Sequence, residues 1–143
     1  MKSARAQRVR IARVRKIQHD LAAARAAVAN EQVRSLESSA DQLARIRESM
    51  AADQGHTNGS ALAGLGELAL RLDVARDTLG KSLLNARAVA GTREGERLAA
   101  YRDQESAERL REWATEAEQR QSLKRLMGRG RRRSILSEYG DDH

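Results

Sequence analysis

The spacing of apolar residues along the chain predicts two long helices separated by one interruption. In the first arm, steps of three and four residues, the spacing of a coiled-coil seam, connect Val14, Ile17, Leu21, Ala24 and Val28. The same steps connect Leu36, Ser39, Leu43, Ile46 and Met50. Eight residues instead of seven separate Val28 from Leu36, which predicts a local change in helix winding. No Pro or Gly lies before residue 55, so the pattern predicts one helix over about 2–53.

The interruption at residues 53–60 has the composition of a turn. Gly55, Asn58 and Gly59 tolerate left-handed backbone angles, and Ser60 is a suitable N-cap for a following helix. We therefore expect a turn over 54–60 and a second helix from about 61.

The second arm repeats the 3-4 spacing but weakens towards its end. The steps connect Leu65, Leu68, Leu72, Ala75, Leu79, Ser82, Ala86 and Val89. Gly91 and Gly95 follow, and each costs a helix about 1 kcal/mol relative to Ala, so we expect a kink or a mobile stretch near 91–97. A last apolar turn precedes Gly128 and Gly130, which predicts that the helix ends at about 127. Residues 131–143 are then expected to form a flexible tail, first basic and then acidic.

These elements predict an all-α fold, a single antiparallel coiled-coil hairpin over residues 1–130. Folding the arms about residue 57 brings the Ala-rich stretch 22–29 opposite 85–92, where most side chains are also small. Small facing side chains allow two helix backbones to approach closely. The antiparallel arrangement also brings both ends of the chain to the same end of the hairpin.

Both ends of the chain are strongly basic. The net charge is +7; residues 1–19 and 119–133 each carry seven basic side chains and no acidic one. A solvated charge run explains either end alone. Two such runs brought together by the fold predict an anionic or acidic partner. The candidate surface, called the basic pole below, consists of Arg5, Arg8, Arg13, Arg120, Leu123, Lys124, Arg125, Leu126, Arg129, Arg131, Arg132 and Arg133.

No motif in the chain predicts catalysis, a metal site or a cofactor. The sequence has no Cys, and its three histidines, His19, His56 and His143, are isolated, so we interpret them as surface residues. The close acidic pairs Glu94/Glu96, Asp103/Glu105 and Asp141/Asp142 fit solvated helix faces better than an acid–base pair, which would need a pocket. The Gly residues match neither the dinucleotide-binding nor the P-loop pattern. We therefore expect a protein that is not an enzyme and binds no cofactor.

Membrane and targeting signals are weak. No apolar run reaches the roughly 18 residues of a membrane span, so no transmembrane segment is expected. An Arg-rich, acid-poor start is also a property of mitochondrial transit peptides, but the uninterrupted helical pattern favours a structural helix. Binding of the first helix to an anionic membrane surface is less favoured, because its apolar face is needed for the hairpin.

Two further interpretations concern the partner. The segment 128–133, Gly-Arg-Gly-Arg-Arg-Arg, resembles a phosphate-binding Arg/Gly segment, so nucleic acid is a possible partner, although no aromatic residues interleave with it for base stacking. Trp113 is a possible binding hot spot. The favoured interpretation is that Trp113 covers the end of the first helix.

Two segments resemble the family of the flagellar export protein FliJ and, more distantly, its counterparts in virulence type III secretion. One is the basic-aliphatic run from Gln7 to Gln18, which leads into the Ala-rich stretch ending at Ala29; the other is the Arg/Glu-rich run 108–121 with Trp113 in it. The length and the two-helix plan also agree. This chain departs from the family at its C-terminal end, where an Arg cluster replaces the acidic stretch with which family members often end their second helix.

The resemblance implies a non-enzymatic component of the flagellar (type III) export apparatus, and so a role in bacterial flagellum biogenesis, protein transport and motility. Such proteins resemble the central stalk of rotary ATPases. The implied partners are the hexameric export ATPase, the export gate membrane protein and export chaperones. The implied location is the cytoplasm, peripheral to the inner-membrane export apparatus. The remaining alternatives are a nucleic-acid- or anion-binding coiled-coil module and a plain coiled-coil scaffold.

Overall fold

The computed structural model describes residues 2–52 and 59–138, with only the backbone of Lys2, and these form two long helices. Helix α1 spans Lys2–Ala52 and helix α2 spans Gly59–Glu138. The helices pack against each other in an all-α helical hairpin, which confirms the predicted fold class. Most of the turn predicted over 54–60 lies outside the described residues; Gly59 and Ser60 already belong to α2.

The chain divides into two compact units, and each contains segments of both helices. Unit 1 comprises Met1–Asp20 and Ala99–His143, and unit 2 comprises Leu21–Leu98. In unit 1, Arg5 pairs with Glu118 and Arg15 with Asp103. The two helices are therefore antiparallel there, because higher residue numbers on α1 lie opposite lower residue numbers on α2. In unit 2, the pairs Glu37–Arg87 and Arg47–Asp73 show the same antiparallel order.

The interior of the hairpin is built mainly from alanine. Among the described residues, the buried apolar side chains are Ala12 and Ala107 in unit 1, and Ala26, Ala29, Met50 and Ala90 in unit 2. None of the described large aliphatic side chains is fully buried. Small buried side chains allow close approach of the two backbones, and the apolar area removed from water by each residue is correspondingly small.

The seam of α1 differs from the predicted one in its first half. Val14, Ile17, Leu21 and Val28, predicted to pack inside, are 50–71% exposed. Burial instead follows small residues at 3-4 steps, and Leu36, Leu43 and Met50 are confirmed in the seam while Ile46 is exposed. The buried and half-buried positions in unit 2 include Ala22, Ala26, Ala29, Val33, Leu36, Ala40, Leu43, Arg47 and Met50. Seven residues separate Ala29 from Leu36, so the predicted change in winding is not needed.

In α2 every second predicted seam position is confirmed. Leu65, Leu72, Leu79 and Ala86 are half-buried, whereas Leu68, Ala75, Ser82 and Val89 are exposed. The intervening seam positions fall one residue later, at Ala69, Leu83 and Ala90. The heptad spacing was therefore correct for this helix, but the stripe facing α1 is rotated from the predicted one.

Glycine does not end or break α2 where the sequence predicted. The helix continues without interruption through Gly91 and Gly95, and it passes Gly128 and Gly130 to reach Glu138. No described glycine has the positive φ angle that a helix-ending glycine requires. The helix end predicted at 127 is therefore wrong, and residues 131–138 of the predicted tail are helical; residues 139–143 lie outside the described part.

His19 occupies a seam position of unit 1 instead of the surface position predicted for it. Its ring lies 5.8 Å from that of Tyr101, measured between centroids, and its Nδ1 is 3.5 Å from Asp20. Its Nε2 is buried without a hydrogen-bond partner among the described residues. A buried polar atom without a partner costs free energy in the folded state.

His19→Leu should therefore raise the free energy of unfolding by about 1 kcal/mol, because it removes the unsatisfied nitrogen and places an apolar side chain beside Tyr101. Urea denaturation followed by circular dichroism measures the change. His19→Gln, which keeps a polar side chain, is the control and should not stabilise the fold. A lower urea midpoint for His19→Leu would mean that the Nε2 atom makes a bond that stabilises the native state.

Candidate functional site: the basic pole

The first basic run lies against α2 within unit 1. Arg5 donates from Nη1 to Oε2 of Glu118 at 3.2 Å, and it lines a shallow groove with Gln119, Ser122 and Leu123. The start of α1 therefore contacts the part of α2 where the second basic run begins. Unit 1 thus brings the two runs together, as the antiparallel fold required.

Acidic residues outside the two runs compensate part of the charge. Glu118 pairs with Arg5, Asp103 with Arg15 at 3.5 Å, and Glu116 with Arg120 at 3.3 Å. These partly exposed pairs contribute little to stability, on the order of 0–1 kcal/mol each. The sequence does not reveal the two cross-helix pairs, because their partners are about 90 to 110 residues apart along the chain.

The remaining cations of the basic pole have no ion-pair partner in the part of the chain that the structure describes. Within residues 2–52 and 59–138, ion-pair partners are missing for Arg8, Arg13, Lys124, Arg125, Arg129, Arg131, Arg132 and Arg133. Most of these cations lie on the last part of α2. This part of unit 1 therefore offers a cluster of uncompensated positive charge.

Among the described residues of unit 1, no helix lies beside α2 beyond the groove that Arg5 lines with Ser122 and Leu123. Gln121 is its last half-buried residue, and every residue from 122 to 138 is exposed. Leu123, Leu126 and Met127 are 56–70% exposed and fall on one face at helical spacing. Lys124 and Arg131 flank this face on one side and Arg133 on the other. We call residues 122–138 the unpaired helix segment; it presents an apolar stripe bordered by cations.

Trp113 does not cover α1 as predicted. Its side chain is 63% exposed, while the neighbouring Ala114 takes the half-buried position. A large exposed indole in unit 1 fits the alternative interpretation of Trp113 as a contact residue for a partner. That role stays a prediction.

The close acidic pairs within the described residues bind arginines. Glu96 accepts from Arg93 at 3.0 Å and Glu105 from Arg109 at 2.9 Å, while Glu94 accepts from Nε of Arg97 at 3.0 Å. The hydrogen bond from Arg97 lowers the pKa of the Glu94 carboxyl below its ordinary value. A lowered carboxyl pKa favours the charged form of Glu94, and all three carboxylates act as ion-pair partners of arginines. Asp141, Asp142, His56 and His143 lie outside the described residues.

Metal and membrane-spanning features are missing from the part of the chain that the structure describes. No group of three or more His, Asp or Glu side chains there is arranged to hold a metal ion. Over the same residues, neither helix contains a stretch that is long and apolar enough to cross a membrane.

Comparisons of the chain with protein-family models, with curated proteins and with solved structures found no match.

Proposed function

We propose that this chain is a non-enzymatic, FliJ-like component of the flagellar (type III) protein export apparatus. In this proposal it acts as a stalk or adaptor that binds the hexameric export ATPase through the basic pole and links the ATPase to the export gate and to export chaperones. The protein would work in the cytoplasm, peripheral to the membrane-embedded apparatus. The resemblance of residues 7–29 and 108–121 to FliJ proteins supports this proposal, and the two-helix hairpin is compatible with it.

The observation that carries the proposal is the unpaired helix segment. A single helix has a diameter of about 10–12 Å with its side chains, which is narrow enough to enter the opening of a protein ring. An isolated helix of this length is marginal in water, particularly with Gly128 and Gly130 in it. Contact with a partner on several sides would bury Leu123 and Leu126 and would neutralise the surrounding arginines.

Copurification with the export ATPase of the same organism tests the proposal. We expect a complex, and we expect the chain to change ATPase hexamer formation or ATP turnover. Arg125→Glu with Arg129→Glu should weaken the complex about tenfold or more, since each reversal removes an attraction and adds a repulsion. Leu123→Ala with Leu126→Ala should also weaken it, because a ring partner would need the apolar face.

Matched controls come from unit 2. Arg45→Glu with Arg76→Glu changes the net charge by the same amount at exposed positions of unit 2, which contains no residue of the basic pole. Leu70→Ala with Leu84→Ala truncates leucines that are as exposed as Leu126. Neither control should alter the complex. A missing complex, or equal losses in the control and test variants, would rule out the proposed role of the basic pole.

A second candidate, binding of nucleic acid or another polyanion, is favoured by the run of unpaired arginines at 129–133. Phosphate binding should fall linearly in a log–log plot against salt concentration, with a slope set by the number of contacts. It should depend on Arg131 and Arg132 but not on Leu123 and Leu126. An affinity for single-stranded DNA that survives the leucine truncations would therefore favour this second candidate.

A further inference from the structure

An open groove in unit 2 is lined by none of the residues of the basic pole and is not used by the proposed function. α1 contributes Ala24, Val28 and Ala29 to its lining, and α2 contributes Val89. The groove measures about 380 Å³ and follows the line where the two helices meet. Ala29 is buried at its base, whereas Val28 and Val89 stand exposed at its sides.

The exposed valines result from the way the hairpin packs. Because alanines fill the seam, the larger aliphatic side chains of α1 fall on the neighbouring face. In unit 2 this face carries Leu21, Ala24 and Val28, which are spaced by three and four residues. This is the spacing that a helix uses to contact another helix, and it remains available after α2 has been packed.

The groove is cationic as well as apolar. Its lining residues include Arg25 and Arg93 and no acidic residue. Arg93 pairs with Glu96 at 3.0 Å, whereas Arg25 has no ion-pair partner among the described residues. An occupant should therefore place acidic side chains beside its apolar contacts. A second copy docked on a two-fold axis would instead bring identical cationic grooves together.

We propose that this groove docks an amphipathic helix of a partner protein whose apolar stripe is flanked by acidic residues. Val28 and Val89 contact the apolar stripe, and Arg25 pairs with an acidic side chain at its edge. This inference is independent of the proposed function, because all of its residues lie in unit 2.

A synthetic three-heptad peptide with Leu at the a and d positions and Glu at the flanking positions is the probe. Fluorescence anisotropy with the full chain should show saturable binding at moderate salt, at least about tenfold tighter than for the same peptide with Lys at the flanking positions. A third peptide, with Glu kept and Leu replaced by Ala, separates apolar docking from simple attraction to the basic pole. It should bind at least about tenfold more weakly than the first peptide.

Two pairs of variants locate the binding. Val28→Asp should weaken binding of the acidic peptide about tenfold, whereas Val74→Asp, at a valine of similar exposure outside the groove, should leave it unchanged. Arg25→Glu should weaken it, and Arg76→Glu should have the smaller effect expected from net charge alone. Circular dichroism shows that each variant stays folded, as substitution of exposed residues should allow.

Three outcomes would overturn the proposal. One is no binding of the acidic peptide, or equal binding of all three peptides. Another is an equal effect of Val28→Asp and Val74→Asp. The third is concentration-dependent dimerisation of the chain that Val28→Asp abolishes, which would assign the groove to a second copy.

Discussion

Ala26→Leu should lower the free energy of unfolding by about 2 kcal/mol, even though leucine is the more hydrophobic residue. Ala26 lies in the α1 seam of unit 2 and is only 2% exposed. The close approach of the two helices leaves no space for three further carbon atoms, so the backbones must separate or the new side chain must adopt a strained rotamer. Insertions of this kind into packed interiors typically cost about 1–3 kcal/mol.

The neighbouring residue provides a matched control. Ala27 is exposed, so Ala27→Leu introduces the same side chain into the same helix without overpacking, and Ala and Leu have similar helix propensities. Thermal unfolding should show a midpoint lower by about 6 °C for Ala26→Leu and nearly unchanged for Ala27→Leu. If Ala26→Leu were as stable as the control, or more stable, the seam would be too loose for the alanine packing described above.

The same packing explains why the sequence does not reveal which face of each helix is buried. The extent of α1, the approximate start of α2 and the antiparallel pairing of the two helices follow from the 3-4 patterns and the single interruption, whereas the end of α2 does not. These patterns do not determine which of two adjacent stripes on each helix faces the other helix. Val14, Ile17 and Val28 give the stronger hydrophobic signal, whereas the alanines that are actually buried carry a weak one. Close approach of the two backbones favours small side chains over large ones between the helices. This preference depends on both helices together and is therefore not visible in the pattern of either helix alone.

The basic pole was predictable in composition but not in detail. The two acid-free basic runs are visible in the sequence, and their meeting in unit 1 follows from the antiparallel order. The pairing of Arg5 with Glu118 depends on the register of the two helices, which the turn residues do not fix. The continuation of α2 past Gly128 was missed because a glycine near a helix end is ambiguous. It ends a helix only when it adopts a positive φ angle.

Two glycines within α2 are positions where alanine should stabilise the protein. Gly91→Ala combined with Gly95→Ala should raise the free energy of unfolding by about 2 kcal/mol, roughly 1 kcal/mol for each substitution. Both glycines lie inside the helix, and a Cβ atom added at either position meets no atom within 4 Å. The substitution therefore restricts the unfolded chain without creating a clash in the folded one.

The ion pairs around these glycines show why α2 continues through them. Arg93 pairs with Glu96, and Arg97 with Glu94, in each case across one helical turn. The lowered pKa of Glu94 means that its pairing stabilises the fold at pH values above the ordinary pKa of a glutamate. This contribution is lost as the pH falls through the lowered value. These local contacts offset part of the cost of the two glycines at neutral pH.

Chemical denaturation of the Gly91→Ala, Gly95→Ala double variant also decides between a straight and a kinked helix. In a continuous helix both substitutions stabilise, and the reverse change at an exposed site of the same helix, Ala99→Gly, should destabilise by about 1 kcal/mol. In a kinked helix with a positive φ at either glycine, the added Cβ atoms would cause strain and the double variant would be less stable than the natural chain. A gain in stability near the sum of two Gly→Ala effects is expected, because the described backbone keeps ordinary helical angles through both positions.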